Sequence, residues 1–133
     1  MANGNNKRTR LPPFVATPWV ILNSKAYIEL KHSSARTLPY FLGKPKIAFN
    51  KPSYLSTEFT FSYSEAERYG LAAATFKAVI DQLIENGFID PIDKGGLRGH
   101  GKTCSLFRLS NRWENYGKPS FIKKSWNEFK PRK

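Results

Sequence analysis

The run Gly96 to Thr103, GLRGHGKT, matches G-x-x-x-x-G-K-(S/T), the pattern of loops that bind nucleotide phosphates. In such loops the glycines let backbone N–H groups approach the phosphates, and the lysine adds positive charge. The pattern has this meaning only where it follows a buried strand and opens a helix. Here the next residues are CSLFRLS, which alternate like a strand. We therefore expect a loop between two strands and no nucleotide hydrolysis.

Other catalytic and metal-binding chemistry finds no support in the spacing of residues. The single cysteine, Cys104, cannot form an internal disulfide, and the two histidines, His32 and His100, are too far apart to complete a metal site with it. No nucleophile–base pair or carboxylate dyad can be assembled either. We expect no enzyme and no cofactor, and no small-molecule ligand is indicated.

The charge of the chain indicates a polyanionic partner. It has 22 basic and 10 acidic residues, a formal net charge of +12, which in a small domain points most often to nucleic acid. The distribution is uneven, because residues 59–90 carry two basic and five acidic side chains, whereas residues 91–133 carry eleven and three. The centre of the chain is acidic and its flanks are basic.

Length and hydropathy predict one folded domain outside the membrane. The 133 residues suffice for one core, and a 40% hydrophobic share is that of a folded chain. The longest apolar run, Phe14 to Leu22, is far shorter than the roughly 20 residues that span a bilayer. Pro18 interrupts it and no cleavage site follows, so it is no secretory signal. We expect a cytoplasmic protein without membrane contact.

The first half of the chain predicts short helices and a loop. The run NSKAYIEL predicts a helix capped by its asparagine or its serine. SSARTLPYFLGK predicts a second helix that begins at one of its serines, is kinked or broken by Pro39, and ends at Gly43. Residues 44–58 contain two prolines and no period, so we expect a loop or a short edge strand there.

The second half carries the stronger signals. FTF predicts a short strand, and Ser62 with Glu65 forms a capping box that begins a helix, which Gly70 ends. The run AAATFKAVIDQLIEN predicts a longer amphipathic helix, stopped by Gly87. Its apolar face comprises Phe76, Val79, Ile80, Leu83 and Ile84. Two helices joined by a glycine turn form a helix-turn-helix.

A β-hairpin follows these helices. FIDPID and CSLFRLS alternate with period two, and four glycines lie in the ten residues from Lys94 to Thr103 between them. Pro91 restricts the first strand to an edge or bulged position, because proline cannot donate to a ladder.

The run FSYSEAERYGLAAATFKAVIDQLIENGFID, followed by a basic hairpin, resembles the winged helix-turn-helix DNA-binding domains. The resemblance covers about Phe59 to Ser110 and is carried by the helix opening on SEA, the glycine turn and the ending L-x-x-x-G-F-I. Upstream, P-W-V-I-L-N-S-K-A-Y-x-x-L followed by S-A-R is similar to the replication-initiator-like and phage- or plasmid-borne members. The resemblance to winged helix-turn-helix domains implies an α+β fold, in which a small helical bundle is joined to a β-hairpin wing. The expected parts are a disordered basic arm at 1–13, a winged helix domain at 14–112 (helix-turn-helix about 62–86, wing about 88–110) and a basic extension at 113–133.

The resemblance implies a DNA-binding surface. The recognition role falls on Ala74, Thr75, Lys77 and Ala78. The phosphate role falls on Lys94, Arg98, His100 and Lys102 in the wing, and we add Arg8 and Arg10 of the arm. Helical geometry also turns Asp81, Gln82 and Glu85 outward, and the two acids would repel phosphates unless that end of the helix tips away.

Two function classes follow. The first is double-stranded DNA binding, as a transcription regulator or a replication-initiator-like protein. The second is a winged-helix protein-interaction or self-association module whose basic ends bind nucleic acid non-specifically. A homodimer would form through residues 112–133, which flank the wing. Residues 121–133 have three readings, an amphipathic helix that docks on a partner, a single-strand-binding segment or a solvated basic tail. We expect eight aromatic residues to pack in the core, namely Trp19, Tyr27, Phe41, Phe59, Phe61, Phe76, Phe88 and Phe107.

Overall fold

The computed structural model describes residues 13–93 and 105–126. These ranges contain five α-helices and a three-stranded antiparallel sheet, so the predicted α+β class is confirmed. The helices are α1 (Trp19–Leu22), α2 (Lys25–Ile28), α3 (His32–Leu42), α4 (Tyr63–Arg68) and α5 (Ala73–Glu85). The strands are β1 (Glu58–Thr60), β2 (Ile89–Asp93) and β3 (Leu106–Leu109). Two 3₁₀ helices lie at Pro52–Tyr54 and Arg112–Asn115.

The first two helices are single turns. The Ser24 hydroxyl accepts a hydrogen bond from the Tyr27 N–H at 3.2 Å, so the predicted serine cap of α2 is confirmed. Helix α1 was not predicted, because four residues are too few to show a helical period. It begins after Pro18, whose carbonyl accepts from the N–H groups of Ile21 and Leu22.

Helix α3 continues from His32 through Pro39 to Leu42, so Pro39 does not break it. Proline removes one helical hydrogen bond, but Leu38 directly before it and Phe41 two residues after it are fully buried. Their packing offsets the missing bond, since tertiary burial supplies most helical stability in a protein. Gly43 follows as the C-cap, as predicted.

Helices α4 and α5 end in the same type of turn. The capping box at Ser62 is present, with its hydroxyl accepting from the Glu65 N–H at 3.0 Å. At the end of α4 the Leu71 N–H donates to the Ala66 carbonyl at 3.0 Å, while Gly70 has φ +89°. At the end of α5 the same pattern recurs around Gly87, with φ +93°. Both are Schellman turns, in which only glycine has the required conformation without strain.

The sheet has the order β1-β3-β2, which places β2 at an edge. Pro91 pairs with Phe107, and the next pair along the ladder is Asp93 with Leu106, so β2 has one extra residue there. The prediction that Pro91 occupies an edge or bulged position is confirmed on both counts.

The core is centred on the Phe41 ring of α3. The rings of Phe61 and Phe107 lie 4.7 and 5.9 Å from it between centroids, and Phe76 lies at 6.4 Å. The predicted aromatic packing is correct for the six phenylalanines, all of them buried. It is wrong for Trp19, which is 77% exposed, because α1 turns this side chain away from the core.

The segment after β3 belongs to the packed structure as far as Trp126. That side chain is 5% exposed, and its ring lies 5.6 Å from Phe107. Residues 116–126 contain no helix. Residues 121–126 form no helix, and Trp126 is buried while Ile122, Lys123 and Lys124 are exposed, so this part is neither a helix nor wholly solvated. Residues 127–133 lie outside the described ranges, so the three readings of the whole segment stay predictions.

Arg112 joins this segment to the rest of the domain. Its guanidinium donates to the Asp90 carboxylate at 2.8 Å and to the carbonyls of Ile84, Ile89 and Ile122 at 2.8, 3.0 and 2.9 Å. Arg112 is 9% exposed; its bonds to Ile84 and Ile89 are buried, and those to Asp90 and Ile122 are partly buried. One side chain thus connects the end of α5, strand β2 and the C-terminal segment.

Candidate nucleic-acid interface

The first two turns of α5 present the four predicted recognition residues on one face. Ala74, Lys77 and Ala78 are exposed and Thr75 is half-buried. The opposite face carries Phe76 and the other buried apolar residues, so the predicted amphipathic pattern is confirmed. The structure brings these four residues together, and three of them are small enough to let another backbone come close.

The outward acids are less prominent than expected. Asp81 is half-buried, and its Oδ2 pairs with Lys77 at 3.3 Å. The Gln82 side chain is also occupied, since its oxygen accepts from the Lys31 N–H at 2.9 Å and so caps α3. Only Glu85 is exposed as predicted, and it lies in the last turn of the helix. The first half of α5 contains no acidic residue.

The N-terminus of α5 is open to an anion. Ala72 is the N-cap residue and makes no side-chain hydrogen bond, and the first turn has no acidic residue. Within residues 13–93 and 105–126 the N–H groups of this turn have no side-chain acceptor, and they lie at the positive end of the helix dipole. Ala72, Ala73 and Ala74 are all exposed. A phosphate meets no steric or electrostatic obstacle here from these residues.

Two arginines flank the turn that leads into α5, and sequence reasoning missed both. Arg36 of α3 donates to the Tyr69 carbonyl at 2.7 Å and lies next to Gly70. Arg68 is exposed in the last turn of α4, with no ion pair in the described part of the chain. The signals were present, Arg36 in S-A-R and Arg68 in the capped helix, but only folding places Arg36 at the turn.

Tyr63 adds a hydroxyl to this surface. Its ring packs edge-on against Phe76 at 5.1 Å, and the side chain is 47% exposed. Burial of part of the ring raises the pKa of Tyr63, with Lys77 lowering it and Asp81 raising it. The hydroxyl therefore stays protonated at neutral pH and can donate to a phosphate or a base.

The remaining predicted site residues lie outside the described ranges. These are Lys94, Arg98, His100 and Lys102 of the connection between β2 and β3, and Arg8 and Arg10 of the N-terminal arm. What the structure describes is the pair of antiparallel strands on either side of the connection. A strand and not a helix follows GLRGHGKT, as the sequence predicted.

Nine of the 22 basic residues, but one of the 10 acidic ones, lie in the ranges that are not described. The described residues contain no cluster of three or more potential metal ligands. None of their helices combines the length and the apolar character needed to cross a bilayer. Comparison of the chain with known protein families, with curated proteins and with solved structures found no match.

Proposed function

We propose that the protein binds double-stranded DNA as a winged helix-turn-helix, acting as a transcription regulator or a replication-initiator-like protein. The order of elements supports this, because β1, α4 and α5 are followed by the antiparallel pair β2 and β3. In such domains the second helix of the motif enters the major groove by its N-terminal half. The observation that carries the proposal is the exposed, acid-free first half of α5.

The chemistry of this face fits modest sequence preference. The methyl groups of Ala74 and Ala78 suit contact with thymine methyls, and Thr75 and Lys77 supply donors to bases or phosphates. Arg36 and Arg68 suit phosphates beside the turn. No arginine on α5 can make the bidentate contact with guanine that dominates direct readout. Affinity would therefore come mainly from phosphate contacts, including those proposed for Lys94, Arg98, His100 and Lys102.

The proposal is tested by titrating the protein against duplex DNA at several salt concentrations and then selecting from a randomised duplex pool. We expect salt-dependent binding and recovery of a consensus. The double variant Arg36→Gln/Arg68→Gln should lower the salt slope by about 1.8, at about 0.9 for each phosphate contact. Binding without any recovered consensus would favour the second function class.

The reading face needs its own variants. Ala78→Glu places a carboxylate on the face of α5 that we propose enters the major groove of DNA, so we expect loss of the consensus-specific component of binding. Glu85→Gln at the other end of α5 is the control and should bind as wild type does. If Arg98→Ala/Lys102→Ala leaves duplex affinity unchanged at low salt, the assignment of the wing to phosphates is wrong.

A second candidate, self-association, is favoured by four exposed apolar side chains near the start of the described structure. Phe14, Val15, Trp19 and Val20 are 73%, 42%, 77% and 55% exposed. Surfaces of this kind on small proteins mark interaction sites. Light scattering of Trp19→Ser/Val20→Ser tests this candidate, with Ile28→Ser, which also removes an exposed side chain, as the control. A concentration-dependent dimer that only the double variant disrupts would support it.

A further inference from the structure

A groove lies at the opposite end of α5 from the proposed reading face. Its volume is about 940 Å³, within the range of clefts that hold ligands. One side is formed by α2 and the last turn of α5, and the other by residues 116–125. Ala74 and Glu85 are eleven positions apart in α5, which separates the two ends by about 16 Å at 1.5 Å per residue.

The walls of the groove are held in place. The Tyr116 hydroxyl donates to the Glu29 carboxylate at 2.9 Å, which ties the segment to α2. Further on, Arg112 donates to the Ile122 carbonyl at 2.9 Å, and Trp126 is anchored in the core. The segment that the sequence predicted as a basic extension is thus held against the domain at three points, so a ligand need not first order its backbone.

The groove has a surplus of positive charge. Lys118 and Lys123 are exposed, and neither has an ion pair within the described residues. Glu29 pairs with Lys25 at 2.8 Å, and the exposed Glu85 also lines the groove, so four lysines (Lys25, Lys118, Lys123 and Lys124) face two carboxylates and the surplus is two positive charges. The hydrogen bonds from Lys25 and then from Tyr116 lower the pKa of Glu29, so this carboxylate stays ionised and occupied.

Two aromatic rings lie among these lysines. The rings of Tyr116 and Phe121 meet edge to face, with centroids 5.4 Å apart and an interplanar angle of 80°. Both side chains are half-buried, so each keeps an accessible part on the groove. Lysines interleaved with aromatic rings are the combination that binds single strands, since phosphates meet the charges and bases stack on the rings.

We propose that this groove binds single-stranded nucleic acid, at a site separate from the duplex-binding face. A flexible single strand can bend into a groove of this size, whereas duplex DNA is a stiff rod with a persistence length of about 150 base pairs. The site goes beyond the proposed function, because it lets one molecule hold a duplex and an unpaired strand at the same time.

The test measures anisotropy of a labelled oligothymidylate, about 16 nucleotides long, with the full chain at several salt concentrations. Lys118→Gln/Lys123→Gln should lower the salt slope for the single strand by about 1.4 and weaken binding at 0.1 M salt by about 25-fold. The duplex slope of this variant should not change. The matched control is Arg36→Gln/Arg68→Gln, which removes the same charge at the duplex-binding face. It should lower the salt slope for the duplex and leave that for the single strand unchanged.

A second pair of variants tests stacking. Tyr116→Ala should weaken single-strand binding by about 5- to 150-fold, the effect of removing one stacked ring. Tyr116→Phe keeps the ring, loses only the bond to Glu29 and should bind nearly as wild type. Thermal melting shows whether each variant is folded. Oligouridylate in parallel distinguishes RNA from DNA as the source of the strand, and tight binding of either supports the proposal.

The outcomes separate the two sites. If both double variants weaken single-strand binding equally, the interaction follows total charge and the groove is not a site. Displacement of oligothymidylate by polyglutamate at equal charge would identify an acidic-peptide site and overturn the proposal. Failure to recover a duplex consensus would contradict the proposed function but not the single-strand site, because the titration with oligothymidylate does not involve duplex DNA.

Discussion

The turns at Gly70 and Gly87 have the same hydrogen bonds and opposite surroundings. A Cβ added at Gly70 would meet only the Arg36 guanidinium, 3.6 Å away. A Cβ at Gly87 would lie 2.6 Å from the Trp113 nitrogen and 2.8 Å from the Arg112 carbonyl carbon, both backbone atoms. The turn at Gly70 has free space beside it and leads into α5, the helix that we propose contacts DNA bases. The second is closed beneath the C-terminal segment, so it joins two parts of the fold.

This difference separates a surface that is free to bind from one that holds the domain together. The open turn is followed by the buried Leu71 and then by three exposed alanines, and basic side chains flank it. The closed turn is followed by Phe88 and Ile89, both buried, and it is covered by Arg112. A motif defined by local hydrogen bonds therefore does not show which role a turn has.

The largest effect is expected for Gly87→Ala. The substitution strains a residue with φ +93° and also forces a methyl group into backbone atoms that cannot rotate away. We expect a loss of more than about 4 kcal/mol in the free energy of unfolding. Urea denaturation followed by tryptophan fluorescence measures it. A loss similar to that of Gly70→Ala would show that the backbone of Arg112 and Trp113 does not obstruct a side chain at position 87.

The next effect is expected for Arg112→Met. It leaves the carbonyls of Ile84 and Ile89 buried without their donor, and it leaves the Asp90 carboxylate only Lys124 at 3.5 Å, which together cost about 3–5 kcal/mol. Hydrogen exchange should increase most in residues 116–126. Arg112→Lys keeps the charge but cannot reach four acceptors, so it should recover only a small part of the loss. Uniform exchange across the domain would contradict the role assigned to this side chain.

A smaller effect is expected for Gly70→Ala. Only the conformational cost of φ +89° applies, about 1–2 kcal/mol, because the space beside the turn is open. Thermal melting with the Gly87→Ala variant as a partner measures the difference between the two turns. Duplex binding at a temperature where both are folded should be nearly unchanged in Gly70→Ala.

The smallest effect is expected for Ser62→Ala, which removes the cap of α4 on the far side of the open turn. One helix cap contributes about 1 kcal/mol to the free energy of unfolding. The substitution removes the hydroxyl that accepts from the Glu65 N–H and so leaves only the second bond of the capping box, from the Ser62 N–H to the Glu65 carboxylate. Urea denaturation should show this loss, and Ser62→Thr, which keeps a hydroxyl, should largely retain stability. An effect as large as that of Arg112→Met would mean that α4 depends on its cap more than on packing.

The sequence by itself determined the elements whose causes are local. The capping box of α4, the two glycine stops, the apolar face of α5 and the edge position of Pro91 each follow from residues a few positions apart. The four predicted recognition residues share one exposed face for the same reason, since helical periodicity alone decides it.

Only the tertiary structure decided the rest, because it depends on residues far apart in the chain. Arg112 is a buried connector since folding brings Asp90 and three carbonyls around it. Pro39 stays within α3 because the core packs on both sides of it, and α1 points Trp19 to solvent. Arg36 reaches the turn at Gly70 from another helix. Contacts between residues far apart in the chain leave no period or spacing that a sequence displays.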